Sequence, residues 1–396
     1  MKWLRMLLLA TVLVQAAVFA GRPMTTYRAL ELGASTFVVG LVAASFAVIP
    51  LVIALPAGRG VDGDRARSFL RYGAVLSLVG AVGLAVAPSL PLLALGNAVA
   101  GVGLLLSAIA TQGIIARRAP VHDHDRAFGR FTVAASVGQL VGPLLSGFAV
   151  AAVPASLGPR AGLAASAVLA LLLVVVSFAY QTPSTPRATH PAQGAGPGAV
   201  PEARSALVAM MRTRGMSPAV LASLSLLTCV DLVTAFLPVL AQERGIAPAT
   251  VGWLLALRAL ASIGSRLMVA RLAARWGRRP VLVASMSLAA AALLVLAADS
   301  TLVLLVVLML VAGFALGIGQ PLTMSWVVSL VPETSRATAL ALRLGANRVG
   351  QVAVPVVAGV VAGVGGAAGV FVLTAVMLSG AGAGVLLSRP GSTAAG

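Results

Sequence analysis

The chain has 396 residues, 59% hydrophobic and only 10% charged, with a formal net charge of +18 and a single cysteine, Cys229. Soluble domains carry about 25% charged residues, so a soluble globular fold is excluded, and one cysteine excludes an internal disulfide. The basic excess is almost entirely Arg and lies between apolar runs, where it sets topology and does not read as a nucleic-acid surface.

Apolar runs of about 20 residues, the length that crosses a bilayer, recur from one end to the other. They are continuous and do not alternate, which selects helices over barrel strands. The first six predicted spans are 4–28, 35–57, 70–88, 91–116, 131–153 and 161–180. Lys2 and Arg5 ahead of a run ending Val18-Phe19-Ala20 also fit a signal peptide, but the repeat described below requires this segment as span 1. Residues 181–216 hold Pro183, Pro186, Pro191, Pro197 and Pro201 with Gly194, Gly196 and Gly198, and read as a flexible linker. The second six spans are 217–241, 248–270, 280–298, 301–329, 336–363 and 369–388. The expected domains are therefore 1–180, the linker 181–216, and 217–396.

Charge bias fixes the orientation. Lys2, Arg5, Arg59, Arg65, Arg67, Arg117, Arg118, Arg271, Arg275, Arg278 and most other basic residues fall on one side, whereas Arg22, Arg28, Arg160 and Arg244 fall on the other. The positive-inside rule then puts both termini and the linker in the cytoplasm, in a cell membrane, and requires an even number of spans.

The two sets of spans repeat at a constant offset of 212 residues. Glu31-Leu32-Gly33 pairs with Glu243-Arg244-Gly245, Gly40 with Gly252, Arg67 with Arg279, and Ala100-Gly101 with Ala312-Gly313. The same shift aligns GQLVGPLLSG (138–147) with GQVAVPVVAG (350–359). Two six-helix halves in parallel orientation are the plan of one large transporter class.

The loops carry the more specific pattern. Gly58, Asp62 and Arg67 follow span 2, and Arg275, Gly277, Arg278 and Arg279 follow span 8. Here the chain resembles the major facilitator superfamily, which has a Gly-x-x-x-Asp-Arg-x-Gly-x-Arg pattern after its second helix and a degenerate copy after its eighth. Gly63 and Arg65 stand where the family prefers Arg and Gly, and Ala274 replaces the second Asp. The resemblance covers the whole chain and implies an all-α membrane fold of twelve spans, with Asp62 in a cytoplasmic gate. Gly138, Gly142, Pro143 and Gly147 in span 5 are similar to the family's antiporter motif, which tilts the expected direction toward efflux. Small residues four apart also serve ordinary close helix packing, and the Pro permits a bend. Asn97 occupies the position in span 4 where efflux members place an Arg, which departs from their usual proton-coupling arrangement.

Ionisable residues inside spans are costly and are functional candidates. Asp231 in span 7 is the one acid; Arg258 and Arg266 in span 8 and Arg343 and Arg348 in span 11 are the bases. At about 1.5 Å per residue Asp231 lies roughly 21 Å from the cytoplasmic start of its span, and Arg258 about 15 Å from the outer face. The two are expected to pair, either as a proton or substrate-cation site or as a structural ion pair. Arg343, Asn347 and Gln351 fall at i, i+4 and i+8 and form one polar stripe, with Arg348 beside it. Gln15, Gln112 and Gln320 are placed in the cavity by the resemblance alone.

These residues point to secondary transport of a small organic molecule, a drug or metabolite exported against protons, by a monomer in the lipid bilayer. The surplus of deep Arg also admits organic anions, and a non-transporting receptor or scaffold fits the same fold. No phosphate-binding loop, paired carboxylates or metal cluster supports an enzyme, a nucleotide-driven pump, or any metal or other cofactor. His122-Asp123-His124-Asp125 lacks a further ligand nearby and reads as a solvated loop.

Overall fold

The computed structural model describes residues 2–60, 65–119, 124–180, 210–298, 301–332 and 335–388. Asp62, His122, Asp123 and most of the expected linker, residues 181–209, lie outside the described residues, and the surroundings of Gly58 do too. The described residues form helices α1 (Lys2–Glu31), α2 (Thr36–Gly60), α3 (Arg65–Val86), α4 (Leu90–Arg118), α5 (His124–Ala151), α6 (Gly158–Ala179), α7 (Met216–Glu243), α8 (Pro248–Trp276), α9 (Arg278–Ala297), α10 (Leu302–Ser329) and α11 (Arg336–Leu387). Eleven of them are long and apolar enough to cross a membrane, and the protein is a multi-pass membrane protein.

At 52 residues α11 is about 78 Å long, more than twice the roughly 30 Å hydrocarbon core. Gly366, at φ 62° and ψ −166°, breaks it into two arms, 336–365 and 367–387. Only glycine enters that region without strain. The helices overrun the predicted spans by a few residues at many ends, because hydropathy marks the hydrocarbon zone and hydrogen bonding carries the helix on into the interface. This matters most for α1. Arg22 and Arg28, counted with the basic residues of the outer side, lie within the helix, with side chains 15% and 9% exposed.

The residues that repeat at 212 positions repeat a structure. Gly33 and Gly245 have φ of 80° and 66° and close α1 and α7 in the same way. The amide of Ala34 donates to the carbonyl of Ala29 at 3.0 Å, and that of Ile246 to Ala241 at 2.7 Å, a Schellman-type closure that needs a left-handed residue. Beside these turns Arg28 donates to the carbonyl of Ala87 at 3.0 Å, and Arg244 to that of Ala298 at 2.6 Å. Each guanidinium thereby caps the C-terminal end of the third helix of its set, where a cation offsets the helix dipole.

Packing between α1–α6 and α7–α11 runs through glycines that admit no side chain. A Cβ on Gly40 of α2 would lie 2.8 Å from Cα of Gly359 on α11, and a Cβ on Gly252 of α8 would lie 3.0 Å from Cα of Gly147 on α5. Gly40 also meets the carbonyl of Pro355, and Gly252 meets that of Pro143 at 2.5 Å. Every residue in the first contact maps onto its counterpart in the second by the same shift. Both contacts lie toward the face opposite the basic loops, where Phe148 and Trp253 also meet edge to face at 5.3 Å between centroids. Toward the basic face the glycines of the same helices are free. Gly129 on α5, Gly264 on α8 and Gly345 on α11 would meet nothing within 4 Å. The glycine contacts between the two sets thus lie on the opposite face, while toward the basic one Arg266 of α8 reaches Ser136 of α5.

Within α1–α6 Gly101 packs on the carbonyl of Phe46, and within α7–α11 Gly313 packs on that of Arg258. Gly101→Leu forces α4 off α2 and is expected to lower the thermal midpoint in detergent by several degrees, since overpacking costs about 1–3 kcal/mol. Gly345→Ala, in open space within a helix, leaves the midpoint unchanged or raises it, since the change adds up to about 1 kcal/mol of helix stability. A Gly101→Leu protein that melts with the wild type contradicts the contact.

Candidate functional site

The polar residues inside the bundle converge on Asp231. It lies about 22 Å along α7 from Met216 and is 6% exposed. One carboxylate oxygen pairs with Arg22 of α1, and the other accepts from Nε2 of Gln351 on α11 at 2.6 Å. The amide oxygen of Gln351 accepts in turn from Arg348 at 2.9 Å. Arg22 also lies over the ring of Phe46 at 4.5 Å and that of Phe19 at 6.0 Å, so both faces of the interface contribute to holding it. The network runs Arg22–Asp231–Gln351–Arg348 and joins α1 to the second set of helices. Nearby, Thr26 donates to the carbonyl of Ala235 at 3.0 Å across the same α1–α7 contact.

This corrects the expected Asp231–Arg258 pair. Because α1 continues to Glu31, Arg22 is a helix-interior residue, and it faces α7 across the interface and takes the carboxylate. Arg258, 2% exposed, makes no hydrogen bond or ion pair among the described residues, and its Nε has no partner. It remains within electrostatic reach of Asp231, Cys229 and Arg22.

The stripe on α11 is buried, and each of its members has a polar partner. Arg343 donates to Oε1 of Gln320 on α10 at 2.7 Å and lies 3.4 Å from the Thr323 hydroxyl. Asn347 accepts from Ser223 of α7 at 3.1 Å, and Gln351 holds Asp231. The three are 5%, 3% and 8% exposed, which places the stripe against α7 and α10 and away from lipid. Gln15 is partly buried on α1 with its Oε1 unpartnered, under Gly138 of α5. Gln112 is exposed on α4 and takes no part in the network. Asn97 donates to the carbonyl of Val42 at 2.7 Å and to Ser45 at 3.3 Å, so it ties α4 to α2. It lines a cavity with Gly21, Arg22, Phe46, Ser77 and Ser166, among other residues.

The glycines of the α5 motif divide their work. Gly138 and Gly142 receive the backbone of α1, with Val12 O 2.5 Å and Ala20 N 2.9 Å from a hypothetical Cβ, whereas Pro143 and Gly147 face α8. One turn region nearer the basic face, Arg266 of α8 donates to Ser136 of α5. Of the loop motif, Arg279 donates to Val385 O at 2.9 Å and Ser388 Oγ at 2.7 Å, capping the last arm of α11. Arg67 is partly buried with its Nε unpartnered, within electrostatic reach of Tyr180 at the end of α6. Arg278 is exposed, and Arg275 stacks on Trp276 at 5.8 Å beside Gly277, whose φ of 84° makes the turn. In the described residues these basic groups serve helix ends within their own set. Arg22, Ser223, Thr323 and Ser136 are site residues that sequence reasoning missed. Arg22 is counted with the basic residues of the outer side although it falls within the expected span 4–28, so the sequence reading does not weigh it as a partner for Asp231.

A family model described as Major Facilitator Superfamily matches residues 7–239 and 219–395. No curated protein matches the sequence. Among solved structures the chain is similar to a D-xylose–proton symporter, with a TM-score of 0.80 and 17% identity over 98% of this chain and 97% of that one. It is similar to the nucleoside transporter NupG, with a TM-score of 0.76 and 17% identity over 98% of this chain and 100% of that one. It is also similar to a bacterial homologue of the human lysosomal transporter Spinster in its inward-facing, unoccupied conformation. There the TM-score is 0.73, with 17% identity over 98% of this chain and 97% of that one. At these identities the likeness establishes the fold.

The buried pair supplies a direct test. Arg22→Ala strands the Asp231 charge and is expected to cost about 3–5 kcal/mol. Asp231→Asn in the same protein removes the stranded charge and recovers most of the loss, so the thermal midpoints form a strongly non-additive cycle. Additive losses would place Arg22 elsewhere.

Proposed function

We propose that this chain, which belongs to the Major Facilitator Superfamily, is a secondary active transporter that moves a small organic molecule by alternating access. Twelve spans, the two arms of α11 being counted separately, form two six-helix halves, 1–180 and 217–396, joined by the segment 181–216. The charge bias puts the basic face, both termini and the linker in the cytoplasm of a cell membrane. The observation that carries the reading is the pair of equivalent inter-half glycine contacts, Gly40–Gly359 and Gly147–Gly252, both toward the face opposite the basic loops. Such an arrangement is one of the two end states that rocking halves exchange around a midplane site.

Asp231 is the single acid within the described helices away from their ends, and it bridges the halves through Arg22. We assign it the coupling proton: protonation removes the charge that Arg22 holds and loosens the seal on the outer face. Export is the direction suggested by the α5 glycines, and the protein acts as a monomer with small-molecule substrate, proton and lipid as its partners. Asp62 and Gly58 with Arg67, and Arg275, Gly277, Arg278 and Arg279, are assigned to the cytoplasmic gate. Asn97 does not supply the charge of the usual coupling arrangement in efflux members, and Asp231 with Arg22 takes that place.

Two measurements test this reading. With Cys229 replaced by Ala, cysteines at positions 148 and 253 joined by a short bis-maleimide hold α5 to α8 on the outer face. Spin labels across that face are expected to show one fixed distance after cross-linking and two populations before it. A single population before cross-linking argues against alternating access. In the uncross-linked protein lower pH is expected to raise the outward-open population, and Asp231→Asn to abolish that dependence; a pH response that survives the substitution removes the proton role.

A further inference from the structure

Apart from Arg71, which stacks on Phe178 near the basic end of α3, five arginines lie in the interior of the described helices, and four of them have an acceptor. Arg22 has Asp231, Arg343 has Gln320, Arg348 has Gln351, and Arg266 has Ser136. Arg258 has none, although it is 2% exposed. The nearest acid offers it nothing, because both oxygens of Asp231 are engaged, one by Arg22 and one by Gln351. A guanidinium stays charged in proteins, so it does not escape burial by losing its proton. An isolated charge in a low-dielectric interior is among the costliest features a fold carries. It persists where function uses it.

The position of Arg258 says what that use is. It lies about 15 Å from the Pro248 end of α8, near the midplane, where substrate sites of two-half transporters fall. The 212-residue shift makes Phe46 its counterpart, and Phe46 is the ring on which Arg22 stacks. Arg22 and Arg258 are within electrostatic reach of each other across the interface between the halves. One cation there is compensated by Asp231, and the second has no counter-charge from the protein.

The geometry points to Arg258 as the binding group for the negative moiety of the transported solute, an organic anion bearing a carboxylate, phosphate or sulfate. A planar guanidinium offers such oxygens a two-pronged, charge-assisted hydrogen bond. The inference rests on the transport reading and names its substrate class. Proton coupling at Asp231 and anion binding at Arg258 use different residues of the same midplane region.

The test is a set of thermal melts of the purified full-length protein in detergent. The probes are benzoate, hexanoate, phenyl phosphate and phenyl sulfate, with benzamide and benzylammonium as the neutral and cationic matches. At least one anion is expected to raise the midpoint of the wild type, and neither match does. Arg258→Gln weakens that anion at least about tenfold, Arg258→Lys keeps part of the affinity, and Arg271→Gln, on the exposed surface, changes nothing. Arg258→Leu, with no anion present, is expected to melt at or above the wild-type midpoint, because it replaces an uncompensated buried charge by a packed apolar group. A merely structural Arg258 would lower it. Stabilisation by the cation alone, by no anion, or by anions equally in wild type and Arg258→Gln overturns the assignment. If it falls while two outer-face distances are still seen, the transporter stands and its substrate class changes. If those distances collapse to one, the transport reading falls first.

Discussion

Hydrocarbon solvates neither a charge nor a free backbone amide, and nearly everything in this bundle follows from that. Asp231 has to be satisfied by protein, and the groups within reach come from two directions. Gln351 belongs to its own set of helices, whereas Arg22 comes from the first helix of the other. The carboxylate therefore cannot be fully satisfied unless α1 and α7 are together. A single buried ion pair makes the proximity of the two halves near the midplane an electrostatic matter as well as a packing one.

Packing makes the complementary demand. Where α2 meets α11 and α5 meets α8, backbones approach so closely that glycine is required, and lipid gives helices no hydrophobic reason to associate otherwise. Dispersion and backbone complementarity supply the contact, and both are short-ranged. Gly40–Gly359 and Gly147–Gly252 are the two places where glycine faces meet in register between the sets. The ion pair lies in the midplane region, and the glycine contacts lie nearer the outer ends of the same bundle.

Cationic surplus is the other theme. The interior holds five arginines and one aspartate, and neutral amides and hydroxyls absorb most of the difference. Gln320, Gln351 and Ser136 each spend an acceptor on a guanidinium. Asn97, in contrast, spends its donor on α2 and supplies no charge, so the arrangement expected from the resemblance in span 4 is replaced by a helix tie.

The sequence by itself determined the class of fold and the spans to within a few residues at most ends, because apolar length is a local property of the chain. The equivalences at Gly33 and Gly245, Gly40 and Gly252, and Gly101 and Gly313 were legible before any contact was known, and each is a backbone requirement repeated. The stripe of Arg343, Asn347 and Gln351 was legible too, since helical spacing alone puts its members on one face. Their partners were not. Which cation Asp231 takes depends on how α1 lies against α7, and spacing along a helix carries no information about the rotation of its neighbour. Depth in the membrane had favoured Arg258, and only the tertiary structure decided for Arg22. The reason is physical: a helix fixes the height of a side chain by sequence, but the direction that side chain faces in the bundle is fixed by packing with every other helix at once.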